Sequence, residues 1–347
     1  MVSVMNKRCV YFDVLKVVAI IAVIINHSYW YLASNDIISF SIKSFILILV
    51  KFAVPVFVMV SGALLLQKEH SYKEIFSKRI FRVVVPLVVI SFLWAIYRHF
   101  NLSEVVVYII RGNLDNYSPY WAWYIYVIIA LYMVLPFIKK MINNFSDKDF
   151  KIFILMFLLI PSFISFGTII LEAFFHKSLY LSGYITGIWF SQYIGLFIAG
   201  YYLANKEVNT KEKNIATISL AVTVLIATII EILNHTINST SFLLDNCLLI
   251  TTIIPALALF IISKYYLSNG FRKEKTNKLF ANLSNCVFGI YLFHVFVISL
   301  LVAMPIFTDL LSWNSYLGVI VIDVITLIVL TIGVHFAKKI PIVKKFL

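Results

Sequence analysis

The stretch YFDVLKVVAIIAVIINHSYW, residues 11–30, decides what kind of protein this is. It is apolar over the roughly 20 residues that a helix needs to cross a bilayer core. Yet it carries Asp13 and Lys16 near one end and His27 near the other. Ionisable groups inside a spanning helix are costly and need a physical reason. Outward from this stretch the apolar pattern repeats. The chain of 347 residues is 62% hydrophobic and 13% charged, whereas a soluble domain is about half apolar and a quarter charged. Ten runs of spanning length lie near 13–32, 44–66, 83–98, 119–138, 152–171, 185–204, 215–235, 246–267, 283–304 and 316–337. The expected fold is an all-α integral membrane bundle of about ten transmembrane helices rather than a β-barrel.

The net charge of +13 is distributed by topology. Segments 1–12, 67–82, 139–151, 205–214, 264–281 and 338–347 hold 2, 5, 4, 3, 5 and 4 Lys or Arg, which is 23 of the 29, and the alternate loops hold almost none. By the positive-inside rule both termini are expected in the cytoplasm of a multi-pass plasma-membrane protein, and a nucleic-acid partner is a poor explanation of the charge. Cys9, Cys247 and Cys286 have no paired spacing, so neither a disulfide framework nor a metal site is indicated. Lys7 and Arg8 precede an apolar run without a small-x-small cleavage site, so the first helix is expected to remain as an anchor. Residues 1–347 read as one transmembrane domain ending in a short basic tail, 338–347, and a soluble extracytoplasmic partner is expected to be a separate chain.

Within the first helix, Asp13 and Lys16 are three apart and can pair. Eleven residues at about 100° each return to within about 20° of the starting face, so Lys16 and His27 line one stripe roughly 16 Å apart. A lysine snorkelling to the interface and a histidine bonding a neighbouring carbonyl would be the plainer account.

The segment FDVLKVVAIIAVIINHS resembles the opening of the membrane acyltransferase-3 family, in which a basic residue, ten others and a histidine occupy the first helix. The usual basic residue there is arginine, and Lys16 keeps the charge without the planar fork. KFAVPVFVMVSGALL (51–65), KRIFRVVVPLV (78–88), WAWYIYVIIALYMVLPFI (121–138), YIGLFIAGYYL (193–203) and FGIYLFHVFV (288–297) are similar to later blocks of the family, in the same order. Where the family often places a histidine just before the tryptophan segment, this chain has Trp121, which therefore receives no catalytic role.

The resemblance implies an acyltransferase that uses cytoplasmic acyl-CoA, expected to be acetyl-CoA, and acts on a hydroxyl or amine of a cell-surface or lipid-linked glycan. His27 is then the base or a transient acyl carrier. Lys51, expected near the depth of His27 on the neighbouring helix, would favour a neutral imidazole or stabilise an oxyanion. Lys16, Lys78, Arg79 and Arg82 are candidates for the nucleotide phosphates, although basic residues at such a place also anchor to anionic lipid. Trp123 and Tyr124, with Tyr291 and His294, are candidates for binding the acceptor through stacking, against the reading of an interfacial aromatic belt. His294 and Asp323 are expected at comparable depth and able to bond. Glu172, His176, Glu231 and His235 are expected as solvated residues at outer helix ends, and His70 and His335 receive no function. The rival class is a transporter or polysaccharide exporter that uses the same polar stripe, although the repeated halves common in transporters are not visible. A scaffold would tolerate alanine at Lys16 and His27.

Overall fold

The computed structural model describes residues 8–111, 119–176, 188–238 and 248–347. Lys7, Cys247 and the start of the sixth expected run lie outside the described residues. The described elements are all helical. They are α1 Val10–Ser28, α2 Ile37–Val50, α3 Ala53–Leu65, α4 Tyr72–Tyr97, α5 Leu102–Arg111, α6 Trp123–Ile142 and α7 Asp147–Phe175. After these come α8 Ile188–Asn205, α9 Thr210–Asn238, α10 Ile250–Leu267, α11 Glu274–Val302, α12 Pro305–Trp313, α13 Ser315–Ala337 and α14 Pro341–Lys344. Among the described residues nine helical segments are long and apolar enough to cross a membrane, with α2 and α3 together forming one of them. The sixth expected run is helical as α8 but is not among the nine.

Local sequence explains the irregularities. Pro55 has no amide to give to the Lys51 carbonyl, and α2 and α3 are divided at residues 51 and 52. Pro161 follows a π-helical turn, Leu155–Leu159, which absorbs its misfit within α7. At the start of α2, Asp36 accepts from the Ile38 and Ser39 amides at 2.9 and 3.0 Å. This cap starts the helix at Ile37 rather than near residue 44. The Ser39 amide and hydroxyl also hold the Asp36 carboxyl below its ordinary range.

The chain divides into two compact units, Met1–Gln67 with Phe145–Asn285, and Lys68–Asn144 with Cys286–Leu347. In the first unit α3 and α8 approach backbone to backbone. A Cβ placed on Gly62 would lie 1.8 Å from the Phe197 carbonyl oxygen, and one on Gly200 would lie 1.9 Å from that of Met59. Small residues allow such an approach, which membrane helices use because lipid provides no hydrophobic drive between them.

Contacts also fix which helix ends lie together in this unit. Tyr11 meets Phe260 at 6.0 Å, and Thr210 Oγ1 bonds the Tyr265 hydroxyl at 3.0 Å. Lys264 Nζ donates to the carbonyls of Leu203 and Ala204 at 2.8 and 2.7 Å, capping the end of α8. The start of α1, the end of α8, the start of α9 and the end of α10 therefore share one end, here the Lys16 end. At the opposite, His27 end, Phe40 of α2 stacks on His235 of α9 at 3.6 Å, and Asn238 reaches the Ala173 carbonyl of α7 at 2.7 Å.

Candidate functional site

In the first unit α1 runs unbroken from Val10 to Ser28, so the eleven-residue relation of Lys16 and His27 is realised on one helix. Between them on the same stripe, Ile20 and Val23 are buried, while Lys16 and His27 are half-buried. The stripe faces into the unit and ends in a cation on one side and an imidazole on the other. α1 packs against both α2 and α3, as the hairpin predicts. Because α2 begins at Ile37, Lys51 stands midway along the Ile37–Leu65 span, at the break between α2 and α3. That is deeper than its expected place near the depth of His27, which lies in the last turn of α1.

The structure adds a partner the sequence reading passed over. Arg8 grips Asp13 with both arms of its fork, Nε to Oδ2 at 2.6 Å and Nη2 to Oδ1 at 2.9 Å. The same Nη2 reaches the Ala281 carbonyl at 2.9 Å and Asn285 Oδ1 at 3.1 Å, tying the start of α1 to α11. Lys16 Nζ lies 3.6 Å from Asp13 Oδ1. One buried carboxylate thus organises two cations and leaves a net positive charge at the Lys16 end, which suits an anionic group. Asp13→Ala should destabilise the protein by about 2 kcal/mol in thermal unfolding. That is less than the ~3–5 kcal/mol of a fully buried pair, because half of the Arg8 side chain is exposed. Burial pushes the neighbouring Cys9 thiol up, with the Asp13 charge adding to the effect, so Cys9 is a poor nucleophile.

The second unit holds the other sequence candidates. Arg79 does not stand free for a phosphate. Its Nη2 donates to Glu74 Oε1 at 3.1 Å and lies 3.4 Å from His70 Nδ1, which itself pairs with Glu74 Oε1 at 3.2 Å. Lys78 and Arg82 are exposed.

The four acceptor candidates are linked by ring contacts. The rings of Tyr124 and Tyr291 meet edge to face at 5.7 Å, and His294 lies 5.8 Å from Tyr291. Trp123 touches Tyr124 at 6.3 Å. His294 is fully buried, and its Nδ1 lies 2.7 Å from the Tyr291 carbonyl. That geometry makes Nδ1 a proton-bearing nitrogen. Trp121, which the sequence left without a role, is central to the arrangement. Its indole donates to the Leu292 carbonyl at 3.2 Å, its own carbonyl accepts from the Tyr291 hydroxyl, and its ring packs edge to face on Trp94 at 4.7 Å.

Among the expected solvated residues, Glu172 and His176 are exposed, but Glu231 is completely buried. The physical reason is length. α9 continues to Asn238, so Glu231 lies two turns inside the helix end rather than at its margin.

A family model described as an acyltransferase domain matches residues 10–335, nearly the whole chain. Neither the curated proteins nor the solved structures yield a match.

Proposed function

The chain belongs to the acyltransferase-3 family, whose domain spans residues 10–335, and from that premise we propose that it moves an acetyl group from cytoplasmic acetyl-CoA to a hydroxyl, or an amine, of a cell-surface glycan. The observation that carries this reading is the α1 stripe, with Lys16 and His27 at the two ends of one buried face. Their separation, roughly 16 Å on an ideal helix, is of the order of an extended pantetheine arm.

In the proposed reaction the acceptor oxygen attacks the thioester carbonyl. A C–O bond forms as the C–S bond breaks, and the hydroxyl proton passes to the His27 imidazole and then to the departing coenzyme thiolate. A base in hydrogen-bond reach of the hydroxyl and a cation near the developing oxyanion are the two requirements of such a transfer. His27 is assigned the first; Lys51, at mid-span and so well below the His27 end, is not assigned the second. Lys16 is assigned the donor phosphates, now with Arg8 beside it on Asp13. In the second unit Lys78 and Arg82 are the more accessible cations for the same chemistry, Arg79 being engaged by Glu74. In the second unit Trp123 and Tyr124 keep half-exposed rings, whereas Tyr291 and His294 are buried against their neighbours and present no face to a sugar.

The broken α2–α3 span is also a feature of transporters, and donor binding separates the two readings. Acetyl-CoA at 100 times its Kd should stabilise the purified protein by about 2.7 kcal/mol, and the Lys16→Met variant should need more ligand for the same rise. A melting temperature indifferent to acetyl-CoA favours the exporter.

A further inference from the structure

At the His27 end of the first unit lies a polar layer that the transfer step above leaves unused. Buried positions on α9 recur as Val224, Ala227, Thr228, Glu231 and Asn234, a three-and-four spacing that marks one inward face. Its last turns are polar, with Glu231 and Asn234 completely buried and Asn238 Nδ2 bonded to Asn234 Oδ1 at 2.9 Å. α2 packs against both α9 and α1, and the stack of Phe40 on His235 sets the last turns of α9 beside the first turns of α2. One turn beyond Phe40, Ser44 is also completely buried. On α1, Asn26 directly precedes His27. Each of these residues lies within about two turns of its helix end on this side.

Among the described residues, Asn26 Oδ1, Ser44 Oγ and His235 Nδ1 are buried without a hydrogen-bond partner. A buried polar atom left unsatisfied loses its bonds to water with nothing in return. Three of them on three helices, next to a buried carboxyl in a membrane bundle, are an expensive arrangement to keep for packing alone. An apolar ligand satisfies none of these atoms. A hard cation prefers a shell of six or more oxygens, and an imidazole nitrogen and a lone hydroxyl supply that poorly. A polyol fits the set, because each hydroxyl both donates and accepts. It can donate to the amide and carboxyl oxygens and accept from the serine.

We propose that Glu231, with Asn26, Ser44 and His235, forms the acceptor subsite, binding neighbouring hydroxyls of a sugar so that one of them faces His27. This rests on the acyl-transfer reading. The test uses full-length protein in cells otherwise lacking it, with the cell's own surface glycans as the probe and their acetyl content read by mass spectrometry. Purified protein is examined in parallel for thermal stabilisation by acetyl-CoA. Glu231→Gln keeps the shape and removes the charge, and it should lower acetyl content at least tenfold while the acetyl-CoA shift stays at the wild-type value. Ser44→Ala should act in the same direction, and it carries the test if the Glu231 variant does not fold. Acetylation within twofold of wild type in both variants overturns the subsite, as does a loss of acetyl-CoA stabilisation that parallels the loss of acetylation, since that marks a structural role. If the wild-type protein adds no acetyl groups, the transfer reading itself falls and the subsite falls with it.

Discussion

His27→Ala is expected to yield a folded protein that acetyl-CoA still stabilises and that transfers acetyl groups at least 10²-fold more slowly than wild type. The size follows from the role, since a positioned general base contributes about 10²–10⁴-fold to a proton-transfer step. The retained fold follows from position. His27 is half-buried in the last turn of α1, with the Ile20, Val23 and Ile24 side chains packing below it. Truncation there removes an imidazole from a helix end and leaves the buried stripe intact. Retained donor binding follows from the division of labour on α1, because the Arg8–Asp13–Lys16 cluster sits about three turns away at the other end. Steady-state rates beside acetyl-CoA melting shifts on the same preparation check all three parts. A wild-type protein quenched after donor addition without acceptor separates a base from an acyl carrier, because only a carrier retains labelled acetyl on the protein.

The second large effect concerns folding. Gly62→Val or Gly200→Val is expected to abolish recovery of monodisperse protein, and Gly62→Ala to cost about 1–3 kcal/mol, the range of core overpacking. Alanine would otherwise favour the helix by up to about 1 kcal/mol over glycine, so the sign is decided by space. The atoms that a new Cβ would meet are backbone carbonyl oxygens at 1.8 and 1.9 Å, and these cannot rotate away as a side chain could. α3 and α8 would have to separate along their whole shared length. Size-exclusion profiles and thermal unfolding of the detergent-purified variants measure this. A Gly62→Ala protein as stable as wild type contradicts the close approach.

Much of this architecture was legible in the sequence because hydropathy reports membrane burial one run at a time. Nine of the ten expected runs correspond to spans, and α1 was readable in detail, since the relation of residues 13, 16 and 27 is local to one helix. The errors arose where a local signal was overridden or a distant partner mattered. Asp36 and Ser39 spell a helix cap that moves the start of α2 to Ile37 and carries Lys51 to the middle of its span. Glu231 looked terminal because apolarity fades near residue 235, whereas the helix and its inward stripe continue to Asn238. The Arg8 fork, the Arg79–Glu74–His70 cluster and the meeting of Tyr124 with Tyr291 depend on side-chain geometry or on segments far apart in the chain, and apolar periodicity does not encode them. Trp121 was set aside for lacking a histidine's chemistry, and its value proved to be as a buried hydrogen-bonding hub.

The most direct measurement of the transfer proposal is the fate of radiolabelled acetyl-CoA added to the purified wild-type protein in lipid nanodiscs with surface glycan extracted from the producing cells. The account predicts label covalently attached to the glycan and released by mild alkali as acetate, at a rate that His27→Ala lowers at least 10²-fold. Label that stays entirely on the coenzyme, with a well-folded protein present, contradicts it.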